Sequence, residues 1–132
     1  MIVLDASALL AVLLDRPAGA RVAAVFSSRE REVAAPHLVD AEVAQVVRRY
    51  AARGELSEHV AVALVDDFLE LPIVRYAHGP LLRRAFELRH NATIYDALYL
   101  ALAEGLDCPL LTADRALASV PECRAAVEVI PD

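Results

Sequence analysis

The chain has 132 residues, 58% of them hydrophobic, and a formal net charge of −6. This is one domain's worth of chain, residues 1–132, with enough apolar content for a continuous core, and its longest apolar runs, Ala8 to Leu14 and Ala97 to Ala103, fall well short of the roughly 18 to 20 residues that span a bilayer. All 13 basic residues are arginine, so P-loop and Schiff-base chemistry, both of which need a lysine, are excluded.

The predicted elements alternate strand and helix. Ile2 to Leu4 is a short apolar strand ending at Asp5, followed by a helix over Ala6 to Leu14 and a break at Asp15-Arg16-Pro17. Ala18 to Ser28 has helical spacing of Val22, Val25 and Phe26; Glu32 to Ala35 reads as a second strand, stopped by Pro36. His37 to Arg53 forms a long helix closed by Gly54, and Ser57 starts another that runs to about Glu70. Ile73 to Tyr76 is a third strand, and Gly79-Pro80 opens a helix to about His90. Thr93 caps a helix over Ile94 to Glu104, ended by Gly105. Pro109 to Thr112 is the fourth strand, Asp114 to Ala118 a short helix and Val127 to Ile130 the last strand. Near-continuous apolar strands separated by helices predict an α/β fold with a parallel sheet covered on both faces.

Within that pattern four acids stand at related places: Asp5 just past the first strand, Glu42 inside the first long helix after the second, Asp96 at the start of a helix and Asp114 just past the fourth strand. Ligands of such sheets bind beyond the carboxyl ends of the strands. A cluster of carboxylates repels itself, and so it exists to hold something positive. Oxygen-only donors suit Mg²⁺ or Mn²⁺ better than zinc. The four acids carry −4 of the net −6, which bound divalent ions would reverse locally, so the acidic balance does not exclude an RNA substrate. This reads as a metal-dependent phosphoryl-transfer site.

Asp5-Ala6-Ser7-Ala8-Leu9-Leu10, Glu42, the run from Tyr95-Asp96-Ala97 to Ala103, and Leu110-Leu111-Thr112-Ala113-Asp114 together resemble PIN-domain ribonucleases and, more narrowly, the VapC toxins of bacterial toxin–antitoxin pairs. The resemblance covers essentially the whole chain with the motifs in family order. It implies a PIN-like three-layer α/β/α fold with a central parallel sheet of about five strands and an Mg²⁺-dependent endoribonuclease, Mn²⁺ substituting. It assigns Asp5, Glu42, Asp96 and Asp114 to the acidic metal pocket and Ser7 and Thr112 to supporting hydroxyls. It also implies a homodimer neutralised by a VapB-type antitoxin.

Each residue has a plainer role beside the functional one. Asp5 and Asp114 can cap the helices that follow them, Asp96 can be a first-turn acid favoured by the helix dipole, and Glu42 a solvated helix residue. Small hydroxyl residues such as Ser7 and Thr112 are common in turns. Tyr95 and Tyr99, four apart, read as packing residues. His37, His59, His78 and His90 have no ligand spacing and read as surface or capping residues. Arg48, Arg49 and Arg53 end one helix, and Arg83, Arg84 and Arg89 read as a solvated face, with a subset available for RNA phosphates. Cys108 and Cys123 form no CxxC pair and read as reduced structural thiols. Met1 leads directly into a strand with no basic export segment, so the expected compartment is the cytoplasm.

Four other functions compete. A receiver-type signalling domain needs a lysine that is absent. A haloacid-dehalogenase-like phosphatase needs a second Asp where Ser7 stands. A PIN-like module that only binds protein, or a PIN nuclease of RNA processing outside any toxin pair, shares the fold.

Overall fold

Ile2–Leu4 offers no polar face to water, and it forms β1, a fully buried strand in the middle of the sheet. The computed structural model describes residues 1–28 and 30–131. Its other strands are β2 (Val33–Pro36), β3 (Ile73–Tyr76), β4 (Leu110–Thr112) and β5 (Val127–Val129), in the order β3-β2-β1-β4-β5 and parallel at every pairing. Val3 lies opposite Ala34 on one side and Leu110 on the other. β1, β2 and β4 are buried along their whole length, whereas the edge strands β3 and β5 are not. Pro36 does not stop β2 before itself; it is the last residue of the strand, where a missing N–H costs least, and His37 then donates to the Tyr76 carbonyl at 2.9 Å.

Among the described residues six helices cover the sheet: α1 (Ala6–Leu13), α2 (Gly19–Ser27), α3 (Leu38–Ala52), α4 (Glu58–Glu70), α5 (Gly79–Glu87) and α6 (Ile94–Leu106). A short 3₁₀ helix over Arg115–Ser119 follows β4. α6, with α5 packed on it, lies against β1, β2 and β4, while α1 meets β4 and α2, and α3 meets β2 and α4. The result is a three-layer α/β/α sandwich, as the sequence pattern and the family resemblance both predict. Its core joins the central strands to α1 and to a run of seven buried residues of α6, Ala97 to Ala103.

Local sequence explains most helix ends. Ser57 and Thr93 accept the N–H of the residue three further on, and Gly54 takes the left-handed conformation (φ 76°) just past α3. Two ends differ from expectation. Gly105 stays inside α6, which closes instead on Asp107 in the left-handed region (φ 49°), a conformation that Asp adopts at less cost than most residues. α5 ends at Glu87, short of His90. Gly19 is required for a different reason: a Cβ there would stand 2.3 Å from the Ala11 carbonyl oxygen, so its absence lets α2 lie on α1.

Arg84 is not on a solvated face. Its Nε and Nη2 donate to the two oxygens of Glu104 at 2.7 and 3.1 Å, and Nη2 also reaches the Glu122 carbonyl, which ties α5, α6 and the loop before β5 together. The Glu104 side chain is 5% exposed, and the guanidinium beside it holds its pKa down at about 2. Cys108 and Cys123 are free thiols, both partly buried. Among the described residues no helix is long and apolar enough to cross a membrane.

Candidate active site

The chain runs from β1 outward through β2 to β3, then crosses back to place β4 on the other side of β1. That reversal leaves a crevice beyond the carboxyl ends of β1 and β4, the place where open α/β sheets bind ligands. Asp5 follows β1 and Asp114 follows β4, so strand order alone brings residues more than a hundred apart to one spot.

Asp5 is 6% exposed, and its carboxylate is held on both oxygens. Oδ1 accepts from Ser7 Oγ at 2.6 Å and from the Ala8 N–H at 3.0 Å; Oδ2 accepts from Thr112 Oγ1 at 2.5 Å. The capping and site roles of Asp5 are therefore both real: one oxygen caps α1 while the other is bound from β4. Ser7 in turn accepts the Ala113 N–H at 2.9 Å, and the fully buried Thr112 accepts the Asp114 N–H at 3.0 Å. These two hydroxyls lock the ends of β1 and β4 together. Asp114 is exposed and caps the 3₁₀ helix through Ala116 N–H at 2.9 Å.

Glu42 and Asp96 are half-buried and come from two helices. Asp96 sits in the first turn of α6, its N–H bound to Thr93 Oγ1 at 3.1 Å. Glu42 lies on α3 and accepts from the Tyr99 hydroxyl at 2.6 Å. Tyr99, three residues after Asp96 on the same helix, is a site residue that sequence reading missed. The signal for it was its i+3 spacing from Asp96, which puts both on one face of α6.

The acids feel one another. Burial raises the pKa of Asp5 against the pull of its three hydrogen bonds, and the charge of Asp96 raises it further. Burial also raises that of Glu42, partly offset by the Tyr99 hydrogen bond, with Asp96 and Asp5 adding repulsion. For Asp96, burial and then Asp114 push the same way. Among the described residues, no cationic side chain figures among the neighbours that set these three values.

Among the described residues no three Asp, Glu, His or Cys side chains stand close enough to surround an ion directly. The four acids are coupled by charge without forming a closed cage. That spread, with oxygen donors only, still fits Mg²⁺, which keeps several waters and takes one or two carboxylates directly.

A groove of about 450 Å³ opens beside the acids, walled by Leu10, Leu38 and Val46 and edged by Glu42, Arg49 and Tyr95. Tyr95 does not pack as expected; it is 61% exposed at the groove's edge. Of the arginines singled out in sequence, Arg49 lines this groove, Arg48 donates to Gln45, and Arg84 belongs to the Glu104 pair. His78 does serve as a cap, accepting the Leu38 N–H at 2.9 Å at the start of the helix that carries Glu42.

Residues 2–122 match the PIN domain family. Ribonuclease VapC12 of Mycobacterium tuberculosis is 42% identical over 130 residues, covering 98% of this chain and 99% of the relative. Ribonuclease VapC1 of the same organism is 42% identical over 129 residues, covering 97% and 96%. Among solved structures, PAE2754 from Pyrobaculum aerophilum superposes with a TM-score of 0.71 at 27% identity, covering 97% of this chain and 83% of the other. VapBC2 from Rickettsia felis, solved bound to a DNA fragment from its promoter, gives 0.74 at 15% identity over 99% and 100%, a likeness of fold. The acids at the sheet's switch point, the three layers and this end-to-end similarity agree: the chain belongs to the PIN-domain family, among its VapC members.

Proposed function

We propose that the protein is a metal-dependent endoribonuclease, the growth-inhibiting toxin of a toxin–antitoxin pair. The observation that carries this reading is the carboxylate set itself: Asp5 buried and oriented on both oxygens, with Glu42 and Asp96 raised in pKa by burial and by the neighbouring acids. Proteins do not bury coupled acids without a counter-charge at no cost. The ribonuclease names of full-length relatives at 42% identity support the choice of RNA as substrate.

Asp5, Glu42, Asp96 and Asp114 would hold Mg²⁺, with Mn²⁺ as a substitute. The chemistry such an ion supplies when bound is polarisation of a phosphodiester and a lowered pKa of a water for in-line attack. The chain's own residues do the rest. Ser7 and Thr112 fix the Asp5 carboxylate and the junction of β1 with β4, so that the donors need not reorganise during the reaction. Glu42, held by the Tyr99 hydroxyl, and Asp96, in the first turn of α6, would supply further oxygen donors from two different helices. Arg49, at the groove's edge, is placed to pair with a phosphate of the bound strand.

The groove's apolar walls and acidic end suit a VapB-type antitoxin segment that lays apolar side chains on Leu10, Leu38 and Val46 and brings a basic side chain to the acids. A homodimer is part of the same reading, supported by apolar side chains left in water on α4, Val62 at 62% and Leu69 at 63% exposure. The test is cleavage of a single-stranded RNA with chelator, then with Mg²⁺ or Mn²⁺ restored. Loss and recovery are expected; undiminished cleavage in chelator refutes the mechanism. Sedimentation as a monomer at tens of micromolar refutes the dimer.

A further inference from the structure

Glu42 needs an explanation that its own helix does not provide. It is half-buried on α3, Asp5 and Asp96 both repel it, and it lines the open groove. A long, flexible carboxylate in that position moves away from like charge into water unless something holds it. Arg49 edges the same groove without a hydrogen bond or ion pair to Glu42 among the described residues. What Glu42 does have is the Tyr99 hydroxyl, donating to Oε1 at 2.6 Å.

Tyr99 is built to hold it. The side chain is 1% exposed, inside the run of α6 residues that forms the core, and it has only two side-chain torsions to fix. Asp96 lies one turn earlier on α6. One turn of one helix therefore presents a carboxylate and the group that fixes another.

We propose that Tyr99 is a positioning residue of the cation site: its buried hydroxyl fixes one oxygen of Glu42 and restrains that carboxylate before any cation or RNA arrives. This rests on the cation reading above and goes beyond it by assigning a role to a residue that touches neither metal nor substrate. Hydrogen-bond partners of this kind, behind a ligand, commonly change metal affinity 10- to 100-fold when removed, as a rough range.

The experiment is Mn²⁺ binding to the RNA-free protein, followed by electron paramagnetic resonance of free Mn²⁺ and by the Mn²⁺-induced rise in Tm. Tyr99→Phe keeps the ring and deletes the hydroxyl; the expected result is affinity weaker by about 10-fold or more, with the far-UV spectrum unchanged. In cleavage assays the Mg²⁺ requirement should rise while the rate at saturating Mg²⁺ stays near that of the parent. Tyr76→Phe, which removes a hydroxyl that contacts Met1 Sδ at 3.8 Å and none of the four acids among the described residues, should leave the isotherm unchanged. A purely structural role is separated by the double-mutant cycle: if Tyr99 acts through Glu42, Tyr99→Phe adds no further loss in a Glu42→Gln background. Parent and Tyr99→Phe proteins binding Mn²⁺ within twofold of each other overturn this inference alone, as does an undiminished effect in the Glu42→Gln background. Absence of Mn²⁺ binding by the parent overturns the cation reading and the inference with it.

Discussion

Consider Asp96→Asn in protein freed of metal. Asp96 is half-buried in the first turn of α6, with the Thr93 hydroxyl as its one favourable side-chain partner against burial and the charge of Asp114, and it repels Asp5 and Glu42 in turn. Folding therefore raises its pKa above the ordinary 3.8. By linkage, the native chain holds this proton more tightly than the unfolded chain, so stability falls as pH rises from the ordinary value through the raised one and stays reduced at neutral pH. Charge–charge interactions at partly exposed sites are worth roughly 0.2 to 1 kcal/mol, so the relief from Asn is at most about 1 kcal/mol, or roughly 3 to 5 °C in Tm for a domain of this size. Asn keeps the shape and the first-turn N–H bond to Thr93, so little else changes. Calorimetry in chelator should show the rise at pH 7 and no difference below the ordinary carboxylate range, where Asp96 is protonated in both states. The same substitution should cut metal-supported cleavage by about a hundredfold or more, about 2.7 kcal/mol of transition-state stabilisation. A lower Tm in chelator at pH 7 would falsify the reasoning, because it would make Asp96 a structural residue and not a strained member of a charge cluster.

Ser7→Ala removes a donor from buried Asp5 and an acceptor from Ala113 N–H; we expect a stability loss of about 1 to 3 kcal/mol and a further rise of the Asp5 pKa, read as an acid-limb shift to higher pH in the cleavage profile. Arg84→Ala strips the Glu104 carboxylate of its main partner and should lower stability by about 3 kcal/mol at neutral pH by denaturant titration. Because Glu104 titrates at about 2 in the folded chain against an ordinary 4.5, its contribution is full above the ordinary value and is lost as pH falls toward the folded one, so parent and variant should converge in acid. Gly19→Ala places a methyl 2.3 Å from the Ala11 carbonyl, and α2 must back away from α1; a loss of about 1 to 3 kcal/mol is expected, and an unchanged Tm refutes the close approach.

What the sequence by itself determined is local. Ile2–Leu4 and Leu110–Thr112 have no polar alternation and are central strands; Ser57 and Thr93 cap where their hydroxyls fall; Gly54 ends α3 where a positive φ is needed. Asp5, Glu42, Asp96 and Asp114 were legible as a set because strand ends and helix starts are recognisable and a sheet gathers them at one edge, while Ser7 and Thr112 came from the family resemblance. The tertiary structure decided who meets whom. Thr112 binds an oxygen of Asp5 across 107 positions, and Tyr99 binds Glu42 across 57, because β4 crosses to lie beside β1 and α6 lies against the same strands. Periodicity marked Tyr99 as a buried helix residue but carries no record of what its hydroxyl touches. Tyr95 and Arg84 show the same limit in opposite directions: an aromatic expected to pack is left in water at the groove, and an arginine expected in water is held by a buried glutamate. Each outcome depends on the neighbouring element's side chain, which strand order and helix docking supply and local spacing does not.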